Sequence, residues 1–254
     1  MMEELKVEIV DHLAILTINR PEARNAATLA LSQAMAGAID RINADPEIRV
    51  AILTGAGGNF CAGMDLKGFM KGEIPRIEGR GFAGMTEAPP KKPIIAAVEG
   101  YALGGGFELA LACDMIVASE TARFGLPEVK RGLVARGGGL LRLPQQMPYR
   151  KAMELLMTGR LLDPAEAERF GLINRIVSSG EALTAARELA TEISANGPLA
   201  VAAVKEVVTQ AQNWRSDEAF VLQRSYTDPV FASEDAKEGA AAFAEKRMPE
   251  WKGR

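Results

Sequence analysis

Ala97-Val-Glu-Gly-Tyr-Ala-Leu-Gly-Gly-Gly-Phe-Glu-Leu-Ala110 is the stretch from which the fold of this chain is best predicted. It continues an apolar run, residues 93–98, that is typical of a buried strand. Three consecutive glycines, Gly104 to Gly106, come next, and the good helix formers of residues 107–112 follow them. This order predicts a strand, a tight glycine turn and the start of a helix.

The glycine turn is a candidate ligand site because its backbone can approach a bound molecule and adopt a positive φ without strain. The first turn of a helix also leaves N–H groups unpaired and partly positive, here beside the carboxylate of Glu108. Such amides stabilise an oxyanion, and such a carboxylate can move a proton. By itself the stretch fits equally well a helix packed closely on a strand, with Glu108 as a solvated acid.

Composition and charge limit the class of protein. The chain has 254 residues, of which 48% are hydrophobic, so we expect one large domain or a core with a small appendage. Its net charge is −3 and no basic stripe is present, which argues against a nucleic acid partner. The only histidine is His12, so histidine-based triads and multi-histidine metal sites are nearly excluded.

The cysteines and the hydropathy pattern indicate a compartment. Two cysteines, Cys61 and Cys113, do not make a disulfide framework, which favours a reducing environment. Residues 1–6 are acidic and lack an apolar signal region, and no apolar run approaches the roughly 20 residues of a membrane helix. We therefore expect a cytoplasmic protein that has no membrane partner.

Strand-like and helix-like patterns alternate along most of the chain. Strands are predicted at 5–10, 13–18, 50–54, 93–98, 114–119 and 173–177. Helices are predicted at 28–44, 107–112, 139–158 (two short ones), 164–170, 181–195, 198–212, 216–225 and 233–246, with caps at Thr28 and Asp163 and a short helix and mobile loop over 66–92. The alternation predicts an α/β core over 1–195. The wholly helical end predicts a small C-terminal subdomain over 196–254.

Three segments combine glycine turns or carboxylates with the ends of predicted strands: residues 60–67, 104–108 and 124–128. Ligands in α/β folds lie at the ends of strands, so these segments can share a site. Glu108 and Glu128 can then flank one reacting molecule, one ionised and the other protonated if their environments differ. Adding or removing water across a double bond needs such a pair. Considered alone, Glu128 is better explained as a solvated loop acid.

Several ordered motifs resemble those of the crotonase (enoyl-CoA hydratase/isomerase) superfamily over nearly the whole chain. The matching segments are residues 19–21, 25–26, 60–67, 100–110, 113–114, 124–128, 156–160, 165–167, 233–239 and 243–247. The resemblance implies an α/β fold, the crotonase (ClpP-like) spiral of ββα units with a helical C-terminal trimerisation region. It also implies a homotrimer, or a homohexamer made of two trimers.

The resemblance further implies chemistry on an acyl-CoA thioester through an enolate. The backbone N–H groups of Met64 and Gly105 correspond to the family's oxyanion hole. Glu108 and Glu128 correspond to the two glutamates of its hydratases. One would deprotonate the water that attacks Cβ and the other would supply the proton at Cα, and which does which stays open. Neither a metal nor a separate cofactor is implied, since coenzyme A arrives as part of the substrate.

The positions that line the family's acyl-CoA channel are matched less specifically in this chain than the catalytic positions. They are Arg24, Ala62, Met64, Asp65, Leu66, Lys67 and Gly104, together with Phe243 and Lys246 of the last helix. The resemblance implies that the last two reach the coenzyme A of a neighbouring subunit. For Arg24, Lys67 and Lys246, an ordinary solvated charge is the alternative.

The chain departs from typical hydratases at Met64, where many have a small residue, and at Arg136, where an uncharged residue is usual. Arg136 can reach a polar acyl group or simply be exposed. Residues 141–144 and 243–254 resemble carnitinyl-CoA dehydratases, which handle a polar β-hydroxyacyl chain. We therefore predict an enoyl-CoA hydratase, a hydro-lyase that adds water reversibly and syn to a 2-trans-enoyl-CoA. The alternatives are carnitinyl-CoA dehydratase, then enoyl-CoA isomerase, then a non-catalytic acyl-CoA-binding or RNA-binding relative.

Overall fold

A six-stranded sheet forms the centre of the fold. The computed structural model of the chain describes residues 3–254, so Met1 and Met2 of the N-terminal segment considered above lie outside it. The strands are β1 (Leu5–Val10), β2 (Leu13–Ile18), β3 (Val50–Gly55), β4 (Arg76–Ile77), β5 (Gly81–Phe82), β6 (Ile94–Val98), β7 (Tyr101–Leu103), β8 (Met115–Ser119), β9 (Arg123–Gly125) and β10 (Arg175–Val177). The central sheet has the order β1-β2-β3-β6-β8-β10. β1 and β2 form the predicted antiparallel hairpin, and the other neighbours are parallel.

Helices follow most strands, and the last three close the chain. They are α1 (Leu29–Ala44), α2 (Leu66–Phe69), α3 (Gly105–Ala112), α4 (Gly139–Gln146), α5 (Tyr149–Thr158), α6 (Pro164–Arg169), α7 (Ala182–Ser194), α8 (Pro198–Ala211), α9 (Ala219–Phe231) and α10 (Glu234–Glu245). The predicted caps are present: Thr28 Oγ1 accepts from Leu31 N at 3.1 Å, and Asp163 Oδ1 accepts from Glu166 N at 2.8 Å. These side chains satisfy donors that the first turn leaves free.

Both faces of the four inner strands, β2, β3, β6 and β8, are buried, which explains why these strands are almost continuously apolar. Successive side chains of a strand point to opposite faces. Ile52 of β3 therefore packs with the alanines of α7, and Leu53 packs in the larger cluster that contains the apolar stripe of α1. Small alanines let α7 lie close to β3, β6 and β8.

A second, smaller sheet was not predicted. β7 and β9 pair in parallel, with Leu103 opposite Gly125. On the outer side of β7, Cys61 bridges to Ala102, and on the outer side of β9, Phe124 bridges to Leu162. The predicted strand at 93–98 therefore does not lead directly into the glycine turn. The chain turns at Gly100, where φ is +52°, and runs through β7 before α3 begins at Gly105 rather than at Phe107.

Two further predictions of local structure need correction. The segment 66–92, predicted as a short helix and a mobile loop, also contains the hairpin β4–β5, closed by an ion pair between Arg76 and Glu87 at 3.1 Å. α9 continues to Phe231 instead of ending near 225. Pro229 lies inside this helix, and its ring removes one backbone donor without ending the helical path.

The C-terminal helices are held to the rest of the chain by a few polar contacts. Lys205 of α8 donates to the carbonyls of Pro90 and Lys92 and to Asp114 Oδ2, at 2.7, 2.9 and 2.7 Å. Trp251 Nε1 donates to the carbonyl of Ala195 at 2.8 Å. The division of the chain at 195/196 stays a prediction. Across residues 3–254, no helix is both long enough and apolar enough to cross a bilayer.

Replacing Lys205 should loosen this attachment. The Lys205 side chain is only 12% exposed. Lys205→Met removes the donor of two carbonyls and the cation paired with Asp114, whose Oδ2 keeps only the N–H of Ile94, so we expect the free energy of unfolding to fall by about 2–4 kcal/mol. Urea denaturation followed by circular dichroism measures this loss. The control Lys237→Met, at an exposed position on α10, should change the same quantity by less than about 0.5 kcal/mol. Equal effects of both variants would contradict the role of Lys205.

Candidate active site

The small sheet brings the three predicted segments together. β7 lies between the segment at Cys61 and β9, and all three run in parallel. Their carboxyl ends therefore lie next to one another at one edge of this sheet. From there the chain continues into residues 62–67, into the glycine triplet and into residues 126–128. Parallel neighbours place these continuations at the same edge, where α/β proteins bind ligands.

The backbone N–H groups of Met64 and Gly105 lie in this cluster. A Cβ built on Gly63 would be 2.8 Å from the carbonyl of Leu103 and 3.3 Å from Gly105 N, so the two segments are in direct contact. Ala27 hydrogen-bonds on either side of Met64, donating to Gly63 O and accepting from Asp65 N. Gly105 is the first residue of α3. Within residues 3–254, neither N–H donates to a protein acceptor, so both can receive a ligand oxygen.

The glycine triplet serves packing and site geometry at once. A Cβ on Gly106 would lie 2.0 Å from the carbonyl of Cys61, so this glycine lets α3 pack against the neighbouring segment. A Cβ on Gly105 would lie 2.3 Å from the ring of Phe82, which covers this position. Gly104 has φ +55° and ψ −127°, a conformation that side chains disfavour, and its Cβ would be 3.0 Å from Glu128 Oε1.

Glu108 is a buried carboxyl group, not a solvated one. It lies in the first turn of α3 and is 3% exposed. Its Oε1 accepts hydrogen bonds from the backbone N–H groups of Gly137 and Gly139, at 2.7 and 2.8 Å. Burial raises the pKa of Glu108, while these two donors and the charge of Arg142 act in the opposite direction. The explanation of Glu108 as an ordinary surface acid is therefore wrong.

Glu128 is half-buried and less well satisfied. It lies in a 3₁₀ helix, Pro127–Arg131, that follows β9. Its Oε2 is buried and has no hydrogen-bond partner among the described residues. Burial, and secondarily repulsion from Glu108, raises the pKa of Glu128 to about 7. An unsatisfied buried oxygen is rare in folded proteins and favours a group that acts on a ligand. The explanation of Glu128 as a solvated loop acid is wrong as well.

The two carboxyl groups therefore differ in environment while remaining coupled. Glu108 has two backbone donors and a nearby cation, all of which favour its ionised form. Glu128 has a buried oxygen without a partner among the described residues and a pKa of about 7, so a large fraction of this group is protonated near neutral pH. One ionised and one protonated carboxyl side by side is a common arrangement for acid–base chemistry.

The segment after Met64 is organised mainly by Asp65. Its carboxylate accepts from Arg20 at 3.0 Å and from the N–H groups of Lys67 and Gly68 at the start of α2. The hydrogen bonds to Arg20 and to the backbone lower the pKa of Asp65 against the effect of its burial. The carboxylate of Asp65 is thus used within the fold, while Leu66 and Lys67 are exposed beside it.

The remaining predicted binding residues lie at the surface. Arg24 is exposed, its guanidinium lies 5.4 Å from the ring centre of Tyr101, and its carbonyl accepts from Ala62 N at 2.9 Å. On α10, the Phe243 side chain is 87% exposed, and Lys246 ends the helix with a φ of +55°. The contact of these two residues with coenzyme A stays a prediction. Arg136 is exposed.

Two residues near the carboxyl groups were not predicted as site residues. Phe82 reaches Gly105 from the β4–β5 hairpin, which the sequence did not predict. Arg142 lies in α4, within the helix that follows the second glycine cluster. Two signals could have pointed to it: its charge in the apolar run 139–144, and its position in the segment 141–144 that resembles carnitinyl-CoA dehydratases. Within residues 3–254, no group of three or more His, Cys, Asp or Glu side chains is placed to hold a metal ion.

Comparison with known sequences identifies the family. The model of the family described as enoyl-CoA hydratase/isomerase matches residues 8–254. A carnitinyl-CoA dehydratase of Proteus mirabilis (strain HI4320) is 49% identical, over 94% of each chain. The enoyl-CoA hydratase EchA19 of Mycobacterium tuberculosis (strain ATCC 25618 / H37Rv) is 45% identical, over 98% of this chain and 96% of the relative.

Comparison with solved structures gives the same assignment. The crystal structure of enoyl-CoA hydratase EchA1 from Mycobacterium marinum is 56% identical, with 100% of both chains covered and a TM-score of 0.98. The predicted fold class, an α/β crotonase fold with helices at its C-terminal end, is confirmed. The predicted enzyme class is confirmed too, since the named relatives are hydro-lyases. The chain belongs to the enoyl-CoA hydratase/isomerase family, the crotonase superfamily.

Proposed function

We propose that this protein catalyses the reversible syn addition of water to a 2-trans-enoyl-CoA, giving a 3-hydroxyacyl-CoA. The observation that carries the proposal is the pair of coupled carboxyl groups, Glu108 and Glu128, in different environments. They lie beside two backbone N–H groups that have no protein acceptor among the described residues. Relatives named as hydratases and dehydratases support the same reaction type.

The N–H groups of Met64 and Gly105 would hold the thioester oxygen of the substrate. When water attacks Cβ, negative charge develops on this oxygen as the enolate forms. Amides that are already fixed by the fold stabilise that charge without reorganising, and losing one such donor typically costs about 3–4 kcal/mol. Gly63 and Gly106 let the two segments lie in direct contact, which would allow both donors to act on one oxygen.

The two glutamates would divide the proton transfers. The ionised Glu108 takes a proton from the water, whose oxygen bonds to Cβ. The protonated Glu128 then gives its proton to Cα, which discharges the enolate. Both groups lie at the same edge of the small sheet, so hydroxyl and hydrogen arrive on the same face. Afterwards Glu108 holds the proton taken from the water and Glu128 is ionised, and transfer of one proton from Glu108 to Glu128 restores the starting pair.

Coenzyme A would bind along the segment that follows β3. We assign to coenzyme A contacts with the backbone of residues 62–66 and with the charges of Arg24 and Lys67. At Gly104 the absence of a side chain would let the substrate lie close to the backbone. Phe243 and Lys246 would contact the coenzyme A of a neighbouring subunit in a homotrimer or homohexamer. Exposed apolar side chains on α8 and α9, such as Val208 and Phe220, support subunit contacts there. The proposal includes no cofactor other than the coenzyme A of the substrate.

A carnitinyl-CoA dehydratase is the second candidate, because relatives with that name share up to 49% of the sequence. The immediate surroundings of the carboxyl groups favour an uncharged acyl chain instead. Phe82 and Leu126 pack against Gly137 and Gly139, beside Glu108. An isomerase needs a single base, so the presence of both carboxyl groups favours the hydratase.

The first test is turnover of crotonyl-CoA, followed by loss of the absorbance of the conjugated enoyl thioester. Glu128→Gln removes the proposed acid while keeping its shape, so hydration should fall by about 100- to 10,000-fold with coenzyme A binding retained. Glu168→Gln, at an exposed position on α6, is the matched control and should keep the wild-type rate. Wild-type turnover only of crotonobetainyl-CoA would favour the second candidate. An unimpaired Glu128→Gln enzyme would remove Glu128 from the mechanism.

The pair of carboxyl groups predicts a bell-shaped pH profile. Only the singly protonated pair is active, so kcat/KM should fall as the pH rises through about 7, where Glu128 loses its proton. The reaction takes up no net proton, so hydration and dehydration should share this profile. The measured pKa values belong to the pair rather than to either residue. An activity that rises steadily to pH 9 in both directions would contradict this assignment.

The position of Glu108 can be tested without altering its carboxyl group. A Cβ on Gly137 would lie 2.7 Å from Glu108 Oε2, so Gly137→Ala should displace this oxygen. A misplacement of about 1 Å can reduce kcat about 100-fold. Gly37→Ala is the control, because its Cβ would meet open space on α1. We expect both variants to fold, as judged by circular dichroism, and only the first to lose activity. Wild-type kcat in Gly137→Ala would show that this close contact does not position the base.

A further inference from the structure

We propose that Arg142 is a positioning residue that acts through Glu108 and keeps its carboxylate ionised. Its second contact, with Thr86, fixes the segment that carries Phe82. This inference rests on the hydration chemistry proposed above. It adds a role for a side chain that lies on neither the glycine turns nor the carboxyl pair.

The geometry places the guanidinium of Arg142 against the loop that binds Glu108. Gly137 and Gly139 donate their N–H groups to Glu108, and Gly138 lies between them with a φ of +109°. A Cβ on Gly138 would be 2.2 Å from Arg142 Nη1, so the guanidinium occupies the space that a side chain would need. Glycine at 138 therefore permits both the turn and the approach of the cation.

Arg142 lacks the direct partner that a half-buried charge normally has. Its Nη2 donates to the carbonyl of Thr86 at 2.6 Å, and no carboxylate among the described residues hydrogen-bonds to it. Burial lowers the pKa of Arg142, and the nearby negative charge of Glu108 opposes this effect. Buried charges are costly unless they are compensated. The compensation available to Arg142 is Glu108 across the glycine loop.

The other charged groups near the pair do not replace Arg142. Glu128 repels Glu108, and Arg131, an exposed residue of the 3₁₀ helix, acts on Glu128. Cys113, which also lies near Arg142, stays a neutral thiol because burial raises its pKa strongly. Arg142 is therefore the cation that favours an ionised Glu108.

The contact with Thr86 connects Arg142 to the oxyanion amides. Thr86 Oγ1 accepts from the N–H of Phe82 at 2.9 Å. The ring of Phe82 lies against Gly105, whose N–H is one of the two free donors. One side chain thus ties the proposed base to the hairpin that covers the oxyanion position.

Two replacements separate the charge of Arg142 from its contact. Arg142→Gln and Arg142→Lys both keep a donor for the Thr86 carbonyl, but only lysine keeps the charge. We would measure kcat/KM for crotonyl-CoA from pH 5 to 9. The acidic limb reports loss of the first proton from the coupled pair, which we assign to Glu108. This limb should move up by about one pH unit in Arg142→Gln, since a nearby opposite charge typically lowers a carboxyl pKa by about 1–3 units. At pH values below the acidic limb of the wild type, kcat/KM of Arg142→Gln should be about tenfold lower than that of the wild type.

Arg142→Lys should keep the acidic limb of the wild type, and so should the control Arg150→Gln, an exposed position on α5. The proposal is overturned if the glutamine and lysine variants shift together, or if neither shifts. Circular dichroism checks folding. If Arg142→Gln does not fold, Arg142→Lys tests the proposal by itself. An acidic limb at the wild-type position supports a role of the charge, and a displaced limb overturns it.

A carbon-13 NMR titration of glutamate side chains separates this proposal from the proposed reaction. The Glu108 signal is assigned by its loss in Glu108→Gln. If the wild type turns over neither crotonyl-CoA nor crotonobetainyl-CoA, the hydration proposal fails. The titration still tests Arg142: a higher pKa of Glu108 in Arg142→Gln but not in Arg142→Lys supports the positioning role, and an unchanged pKa overturns it.

Discussion

The close contact between two backbone segments, residues 61–64 and 103–106, is the constraint on which the site depends. Gly63 and Gly106 lack the side chains that would hold these segments apart. The bridge between Cys61 and Ala102 keeps them in register, and pairing of β7 with β9 adds the segment that carries Glu128. The free amides and both carboxyl groups therefore have positions set by backbone packing, which is stiffer than side-chain packing alone.

Within this frame, the local electrostatics distinguish two residues of the same type. Both glutamates are removed from water, which raises the pKa of each. Glu108 lies at the glycine loop, where two N–H groups and Arg142 favour its negative charge. Glu128 has an oxygen with no donor among the described residues. The same loop thus sets both the orientation of one carboxyl group and the difference between the two.

The scaffold and the site use different parts of the chain. The central sheet, buried between α7 and the layer that contains α1, supplies most of the apolar core. The small sheet and the hairpin β4–β5 have strands of only three and two residues, yet they carry Phe82 and the ends from which the site segments begin. The C-terminal helices attach through contacts such as that of Lys205, and they leave apolar side chains exposed.

The sequence alone determined the elements that depend on local pattern and on long apolar runs. These include the strands of the central sheet, the long helices and the caps at Thr28 and Asp163, because residue period and capping chemistry are local properties. Its glycine motifs also indicated the segments of the site and the two glutamates. The three-residue strands β7 and β9 carried no such signal, since their stability comes from pairing with distant residues.

Only the tertiary structure decided which groups share an environment. The partners of Glu108 lie 29 and 31 residues away, and Arg20, which holds Asp65, lies 45 residues away. The position of Arg142 likewise follows from how α4 packs beside α3. The burial and charge that distinguish Glu108 from Glu128 arise from these long-range contacts, and a one-dimensional pattern of residue types does not contain them.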